Sequence, residues 1–309
     1  MNSIPFINKW SRLALVLVAL FTSVISSADE SYTNIFIFGD SLSDTGNLAS
    51  VRGDFPNPPF FNNRVTNGLV AVDTIAASLN LNADASLYLL GLAAGGNYAV
   101  AGARSAGESP IDLTAQVTAF LASYNANAPK DALYVVLIGG NDVFDAAKIP
   151  DIIAAKQRID AGVMTEKQQI QALINAGAEN FLVINVVDVS ITPRINAAVL
   201  QIPTVRDYAN SLVIHYNDTL EASLEDIKHD NDIEIEQFDL YQAFNDLLQD
   251  AQDLGFTNTT DACFSTATLT FNDGCNFGAN FPNYVFFDEI HPTTRAHKII
   301  ADQIVEELD

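Results

Sequence analysis

Four short segments of the 309-residue chain carry side chains that together could cleave a bond at a carbonyl carbon. Ser41 follows the apolar stretch 34–38, so its hydroxyl is expected at the carboxyl end of a strand, where it can face a crevice. His291 is followed by Pro292, which disfavours helical geometry at the histidine and suits the first position of a helix. Asp288 lies three residues upstream and can accept a hydrogen bond from the imidazole. An imidazole that a carboxylate orients in this way can act as the general base for a serine.

Two further segments could stabilise the negative charge that such an attack creates. Asn141 follows an apolar stretch and two glycines, and its side-chain amide is a neutral donor that can bind an oxyanion. Gly102 also follows a predicted strand, and its backbone N–H could face the same space. Taken singly, each segment has an ordinary explanation, because serine, asparagine and aspartate cap helices and glycine makes turns. The hypothesis therefore depends on all four segments meeting in one place.

A second serine has to be weighed as the nucleophile. Residues 103–107 read Ala-Arg-Ser-Ala-Gly, which imitates the Gly-x-Ser-x-Gly elbow of α/β-hydrolases. Alanine replaces the first glycine of that pattern, and no β-branched strand directly precedes Ser105. We therefore expect Ser41, and not Ser105, to be the nucleophile.

The elements that must position these residues alternate along the chain. Several apolar stretches are continuous, which is typical of parallel strands that helices cover on both faces. Alternating strands and amphipathic helices predict a layered α/β domain, in which ligands bind beyond the carboxyl ends of the strands. The predicted strands are 34–38, 98–100, 132–138, 180–187 and 233–240, and the predicted helices are 69–79, 113–124, 166–176, 204–227, 240–254 and 293–308.

Composition narrows the class of protein further. The chain is 49% hydrophobic and 17% charged, which argues against disorder, and its formal net charge is −23. A surface this acidic repels phosphate backbones and anionic lipid headgroups, so we expect no nucleic-acid partner. Two cysteines and four histidines are too few for a four-thiolate zinc site or a histidine-rich one. We expect neither a metal nor a cofactor.

The first 28 residues are typical of a secretory signal peptide. Two basic residues precede the apolar stretch 13–25, and the small residues 26–28 offer a cleavage site. The apolar stretch is shorter than the roughly 20 residues that a bilayer-spanning helix needs. The alternative is an N-terminal anchor that is not cleaved. The sequence thus predicts a signal peptide at 1–28, a single domain at 29–309, and export to the periplasm or the medium.

Export permits a disulfide, and Cys263 and Cys275 are the only available pair. Free buried thiols are the alternative. Seven aromatic residues between 264 and 287 directly precede Asp288. These side chains could line an acyl pocket, form a lid tethered by the disulfide, or pack in the core.

Taken together, these segments resemble the sequence blocks of the GDSL (SGNH) hydrolases. The name-giving Gly-Asp-Ser-Leu stands at 39–42. The longer form Phe-Gly-Asp-Ser-x-x-Asp-x-Gly-Asn, at 38–47, is similar to the branch that contains secreted bacterial lipases, lysophospholipases and acyltransferases and the plant GDSL lipases. Arg-Val-Thr-Asn-Gly at 64–68 resembles a stretch that often follows the first block. The blocks run in the family's order over residues 38–293.

The resemblance implies a three-layer α/β/α sandwich around a mainly parallel, five-stranded, flavodoxin-like sheet. Ser41 would be the nucleophile, His291 the base and Asp288 the residue that orients it. The oxyanion hole would consist of the backbone N–H groups of Ser41 and Gly102 and the side-chain amide of Asn141.

The expected function is hydrolysis of carboxylic esters, either lipid-like, lysophospholipid or short-chain acyl esters. The expected partner is a small ester or lipid, with at most transient contact with a membrane surface, and the protein is expected to be a monomer. Three alternatives stay open. The chain could transfer the acyl group to an alcohol or sterol, it could deacetylate carbohydrates, or it could be a secreted binding module without activity.

Overall fold

A computed structural model describes residues 32–52 and 58–308 of the chain. Tyr32–Asp309 form one compact unit. The predicted signal peptide at 1–28 lies outside the described residues and stays a prediction. Within the described part of the chain, no helix is both long enough and apolar enough to cross a bilayer.

The centre of the fold is a parallel sheet of four strands that lie side by side in chain order. Continuous apolar sequence forms these strands because helices cover both faces of the sheet, so both sets of alternating side chains are buried. The predicted α/β architecture is therefore confirmed. The strands are β1 (Asn34–Gly39), β2 (Ala132–Leu137), β3 (Asn180–Ile184) and β4 (Ile235–Phe238).

The prediction of a fifth strand at 98–100 is wrong in detail. Residues 96–100 form only a short extended segment beside β1. The backbone N–H groups of Tyr98 and Val100 donate to carbonyls of β1, on the side away from β2. On its outer side the segment forms a parallel bridge between Asn97 and Ala85, and two of its carbonyls also accept hydrogen bonds from the side-chain amide of Asn47. The sheet proper thus has four strands, and residues 96–100 extend it at the β1 edge.

Helices form a layer on each face of the sheet. The helices are α1 (Asn47–Val51), α2 (Ala71–Ser78), α3 (Leu113–Ser123), α4 (Gly140–Ala146), α5 (Ile152–Asn175), α6 (Pro193–Val199), α7 (Val205–Asn231), α8 (Leu240–Gln249) and α9 (Thr294–Leu308). Side chains of α3, α4, α5 and α7 pack on one face, and those of α2, α8 and α9 pack on the other.

Alternation along β1 shows how one strand serves both layers. Phe36 and Phe38 point towards α3, where their rings lie 4.7 and 5.6 Å from the ring of Phe120. Ile35 and Ile37 point the other way and join the cluster of α2, α8 and α9. Burial on both faces fixes the register of the strand, because a shift by one residue would exchange the two sets of side chains.

The order of the strands determines where a ligand can bind. Along the chain, β1 is followed by residues 96–100 and then by β2. In the sheet, residues 96–100 lie on one side of β1, and β2 lies on the other side. The chain therefore reverses its direction of winding between β1 and β2, and a crevice opens beyond their carboxyl ends at such a point. Ser41 follows β1 and Asn141 follows β2.

The last quarter of the chain adds small strands beside the main sheet. These are β5 (Asn258–Ala262), β6 (Phe264–Ser265), β7 (Thr270–Phe271) and β8 (Tyr284–Phe286). Strand β5 pairs with β8, and β6 pairs with β7. Cys263 and Cys275 are joined, with their Cα atoms 5.3 Å apart, so the predicted disulfide is confirmed.

Candidate active site

Ser41 stands in a tight turn directly after β1. A side chain at Gly39 would place its Cβ 2.3 Å from the carbonyl oxygen of Leu137, so only glycine fits at the end of this strand. The carbonyl of Asp40 accepts hydrogen bonds from Ser43 and Asp44, which closes the turn. The carboxylate of Asp40 accepts a further bond from the N–H of Leu42. Backbone bonding on both sides thus holds Ser41 at the carboxyl end of β1.

His291 and Asp288 form one bonded unit ahead of α9. The ring Nδ1 of His291 lies 2.9 and 2.8 Å from the two carboxylate oxygens of Asp288. The same carboxylate accepts the backbone N–H groups of Ile290 and His291, at 2.8 and 2.7 Å. Asp288 is 2% exposed, so these bonds operate in an environment where water competes little.

The histidine reaches the serine across 250 positions of sequence. The second ring nitrogen of His291, Nε2, lies 2.8 Å from the hydroxyl oxygen of Ser41. Because Nδ1 faces a carboxylate, the neutral imidazole carries its proton on Nδ1 and presents a free lone pair on Nε2 to the serine hydroxyl. This arrangement can move a proton from the hydroxyl to the imidazole.

The segment 64–68 supports the histidine from a different part of the chain. The hydroxyl of Thr66 donates to the carbonyl of Pro292, at 2.8 Å. The side-chain oxygen of Asn67 accepts the backbone N–H of Thr294 at the start of α9. These bonds fix the loop that carries His291. The sequence drew attention to this segment only by its resemblance, without a role for either residue.

Each group expected to bind an oxyanion has an N–H that is not used in a hydrogen bond within the described residues. Within residues 32–52 and 58–308, the backbone N–H groups of Ser41 and Gly102 donate to no protein acceptor. Gly102 has a φ of +87°, a conformation that glycine adopts without strain. The amide of Asn141 donates one N–H to the carbonyl of Ala103, at 2.9 Å, and has no protein acceptor for the other in the described part of the chain.

Ser41, Asn141 and His291 line one cleft. Gly102 is not among the residues that line it, although the neighbouring Ala103 is bonded to Asn141. The structure therefore brings serine, histidine, aspartate and asparagine together. Gly102 is next to this group along the chain, because the residue that follows it bonds to Asn141.

Two buried aspartates, which sequence reasoning did not assign a role, join the loops of the site. Asp44 accepts the backbone N–H of Ala101, next to Gly102, as well as three N–H groups at the start of α1. Asp142 accepts the N–H groups of Ser105 and Ala106. Burial raises the pKa of both carboxyl groups, and the backbone donors oppose that shift. The sequence did offer a signal for these two residues, because each aspartate closes a short polar segment that begins with glycine at the end of a predicted strand, 39–44 and 139–142.

Asp40, next to the serine, is a third buried carboxyl group. Burial raises its pKa to about 6, while the N–H of Leu42 and the charge of His291 lower it. One of its oxygens lies 3.7 Å from where a Cβ on Gly140 would stand. The turns after β1 and β2 are thus in contact where both line the cleft.

The rival serine, Ser105, lies in a different environment. It is fully buried, and its hydroxyl oxygen accepts a hydrogen bond from the hydroxyl of Tyr216 at 3.1 Å. The hydroxyl oxygen of Tyr216 also lies 2.7 Å from a carboxyl oxygen of Glu166. Ser105 does not line the cleft that contains Ser41 and His291. Its surroundings therefore favour a structural role.

Most of the aromatic residues before Asp288 pack against each other. Phe264 and Phe287 form a buried cluster with Phe60, and Phe271 and Phe281 pack against it. From the seven aromatic residues of segment 264–287, only Phe286 lines the cleft. Core packing therefore accounts for the segment better than an acyl pocket does.

The remaining walls of the cleft are mainly apolar. They include Leu42, Phe144, Val187 and Ile290, with Asp188 as a buried polar neighbour. No cluster of three or more histidine, cysteine, aspartate or glutamate side chains suited to a metal ion is present in the described ranges. An apolar cleft with one nucleophile, one base and several unpaired donors can bind and attack an ester carbonyl.

Comparison with known proteins gives the relationships of the chain. The sequence profile of the family described as GDSL-like Lipase/Acylhydrolase matches residues 35–304. A GDSL esterase/lipase of Arabidopsis thaliana is 25% identical over 97% of this chain and 97% of its own length. Lipase 1 of Photorhabdus luminescens is 36% identical over 60% of this chain, and the alignment spans only 26% of that larger protein.

A solved acetylxylan esterase from Geobacillus stearothermophilus is 14% identical, with a TM-score of 0.47 over 89% of this chain and 93% of that one. The family profile spans β1, where the serine turn begins, through α9, which follows the histidine, and so includes the whole site described above. The protein therefore belongs to the GDSL-like lipase/acylhydrolase family of ester hydrolases.

Proposed function

We propose that the protein is a secreted serine ester hydrolase that works through an acyl-enzyme on Ser41. The observation that carries the proposal is the continuous chain from the Ser41 hydroxyl through His291 to the buried Asp288, with contacts of 2.8 to 2.9 Å. Family membership supports the same reaction class.

The first half of the reaction forms the acyl-enzyme. The oxygen of Ser41 bonds to the ester carbonyl carbon while its proton moves to Nε2 of His291, and the carbonyl π electrons move onto oxygen. The N–H groups of Ser41, Gly102 and Asn141 bind that oxyanion. The bond to the alcohol then breaks, and His291 returns the proton to the leaving alcohol oxygen.

The second half releases the acid by the same machinery. Water attacks the acyl carbon, His291 takes its proton, and the bond to the Ser41 oxygen breaks as that oxygen regains a proton. An alcohol in place of water would give acyl transfer. Product analysis with an added primary alcohol distinguishes these outcomes.

Labelling with a fluorophosphonate probe tests the nucleophile. We expect Ser41→Ala to abolish both labelling and hydrolysis of p-nitrophenyl acetate, because the hydroxyl that bonds to Nε2 of His291 is lost. Ser43→Ala is the matched control. Its hydroxyl, two residues away, is buried without a hydrogen-bond partner in the described structure, so its removal leaves no donor unpaired. Mapping of the label to Ser105 in the native protein would overturn the assignment.

Export is proposed on the sequence pattern of residues 1–28. Expression with the full N-terminus in a bacterium, followed by mass spectrometry of the exported protein, tests it. We expect a new N-terminus at Asp29. Retention of the intact chain in the membrane fraction would instead favour the uncleaved anchor. A single domain from 29 to 309 that exists as a monomer is proposed with it, and size-exclusion chromatography tests the monomer.

The charge of the protein favours neutral or zwitterionic esters over anionic ones. At a net charge of −23, the surface repels anionic headgroups at low ionic strength. The proposed substrates are therefore uncharged short-chain esters or zwitterionic lysophospholipids. Contact with a membrane would be transient.

A further inference from the structure

An apolar cavity adjoins the cleft, between the sheet and the layer of α2, α8 and α9. Four side chains line both the cleft and this cavity, and they stand at the boundary between the two: Leu42, Val187, Phe244 and Pro292. Leu42 follows the nucleophile and Pro292 follows the base. The cavity therefore begins within one residue of each group that acts on the substrate.

The interior of the cavity offers no charge to a ligand. Its deeper walls are aliphatic and include Val72, Ala296 and Ile304. The one titratable side chain in the wall is His297, whose pKa burial lowers to about 3. Its Nδ1 also accepts the backbone N–H of Ala71, at 3.3 Å, so the neutral ring is fixed against the backbone. Only an apolar group gains by entering such a space.

The size of the cavity limits the ligand. Its volume is about 30 Å³, which is room for about two water-sized or methylene-sized groups. A substrate carbonyl at Ser41 would leave its α and β carbons at the boundary. A straight acyl chain of about four to six carbons would then fill the cavity.

We propose that this cavity is the acyl-chain site of the enzyme and that it selects straight acyl chains of about four to six carbons. The inference rests on the proposed function, because it requires an acyl group on Ser41. It assigns chain-length selection to the face of the sheet that carries α8 and α9, and not to the aromatic segment 264–287.

Hydrolysis of p-nitrophenyl esters from acetyl to dodecanoyl tests the proposal. In the native protein, kcat/KM should rise about fourfold with each methylene up to butyryl or hexanoyl, since that is the expected gain per buried methylene. It should then fall for longer chains. Failure of the native protein to hydrolyse any ester, acetyl included, would instead contradict the proposed function itself.

Two substitutions should move the preferred acyl-chain length in opposite directions. Ala296→Leu places a larger side chain in the cavity, and the ratio of kcat/KM for hexanoyl over acetyl ester should fall at least tenfold. Phe244→Ala removes a ring from the boundary, and the optimum should move to chains at least two carbons longer. Because Phe244→Ala adds space, it tests the proposal even if Ala296→Leu does not fold.

Each substitution has a matched control on the same helix. Ala301 of α9 and Leu247 of α8 are buried in the same hydrophobic cluster but do not line the cavity. Ala301→Leu and Leu247→Ala should leave the chain-length profile unchanged. An optimum that stays at the native length in both Ala296→Leu and Phe244→Ala, with ester hydrolysis still measurable, would overturn the proposal.

Discussion

At the scale of single residues, hydrogen bonds within the protein hold the side chains of the site in position. The carboxylate of Asp288 accepts two backbone N–H groups in addition to the imidazole, so its position does not depend on the histidine alone. Asn141 uses one amide proton to bind Ala103 and keeps the other available. Such prior bonding lowers the reorganisation that the charged intermediate would require.

Asn141→Ala tests the oxyanion assignment. We expect kcat to fall by about 10² to 10³, because one of three donors to the oxyanion is lost. The native and variant proteins should have similar circular dichroism spectra. Asn196→Ala, which removes an amide that bonds to the carbonyl of Thr260 outside the cleft, is the control and should keep kcat within a factor of two. Near-native turnover in Asn141→Ala would refute the role.

Glu166 provides a second prediction at this scale. Burial raises the pKa of its carboxyl group to about 8 from an ordinary value of 4.5, and Asp142 raises it further. The folded protein therefore keeps this proton between about pH 4.5 and 8, whereas the unfolded chain releases it. Stability contributed by the proton is lost as the pH rises through this window, at up to about 1.4 kcal/mol per pH unit.

Glu166→Gln removes this titration. Denaturant unfolding at pH 5, 6.5 and 8 should show a shallower loss of stability with rising pH than in the native protein. The exposed Glu221→Gln on α7 should keep the native slope. Equal slopes for Glu166→Gln and the native protein would show that the buried carboxyl group does not titrate as described.

At the scale of elements, short turns after parallel strands do most of the positioning. The turn after β1 carries the proposed nucleophile, the turn after β2 carries Asn141, and the loop before α9 carries the proposed base. Asp44 of the first turn and Asp142 of the second both bind the backbone of segment 101–106, so this segment joins the two turns. A side-chain amide contributes as well, since Gln116 of α3 exchanges two hydrogen bonds with the backbone of Gly39.

The disulfide loop gives a prediction at the scale of elements. Cys263 and Cys275 close a loop with a sequence separation of 12, and both are fully buried. Replacing both by serine should lower the free energy of unfolding by about 3 kcal/mol, mainly by freeing the unfolded chain. Denaturant unfolding of the double variant, with and without reductant, measures this loss. Reductant should destabilise the native protein and leave the double variant unaffected.

Several elements could be predicted from the sequence, and others could not. Five of the six predicted helices start within two residues of the observed ones. Helix α5 begins at Ile152 and not at residue 166, because Asp151 caps it by accepting the N–H groups of Ile153 and Ala154. Gly162 inside this helix interrupts the sequence pattern, yet it is required there, because a Cβ would lie 2.8 Å from the hydroxyl of Ser105.

At the scale of the whole molecule, charge sets which esters can approach. The chain has 38 acidic and 15 basic residues, for a formal net charge of −23. Such a field slows the approach of an anion and acts weakly on a zwitterion, and salt screens it over about 10 Å at 0.1 M. We therefore expect substrate choice to depend partly on residues far from the cleft.

Raising the salt concentration tests this effect. For lysophospholipids that carry a hexanoyl chain, kcat/KM for lysophosphatidylglycerol should rise severalfold from about 10 to about 200 mM sodium chloride, because screening removes repulsion. The value for lysophosphatidylcholine should change less than twofold. Equal responses of the two lipids would show that the net charge does not control access to the site.

The sequence by itself determined the α/β class and pointed to the residues proposed for catalysis, because hydrophobic patterns and residue types are properties of local sequence. It also pointed to the disulfide, since only two cysteines are present. Tertiary structure alone decided that Ser41 and His291, 250 positions apart, share a hydrogen bond. It likewise buried Ser105 beside Tyr216 and opened a cavity behind Leu42. Such contacts join distant parts of the chain, and packing of the two helical layers on the sheet sets their distances.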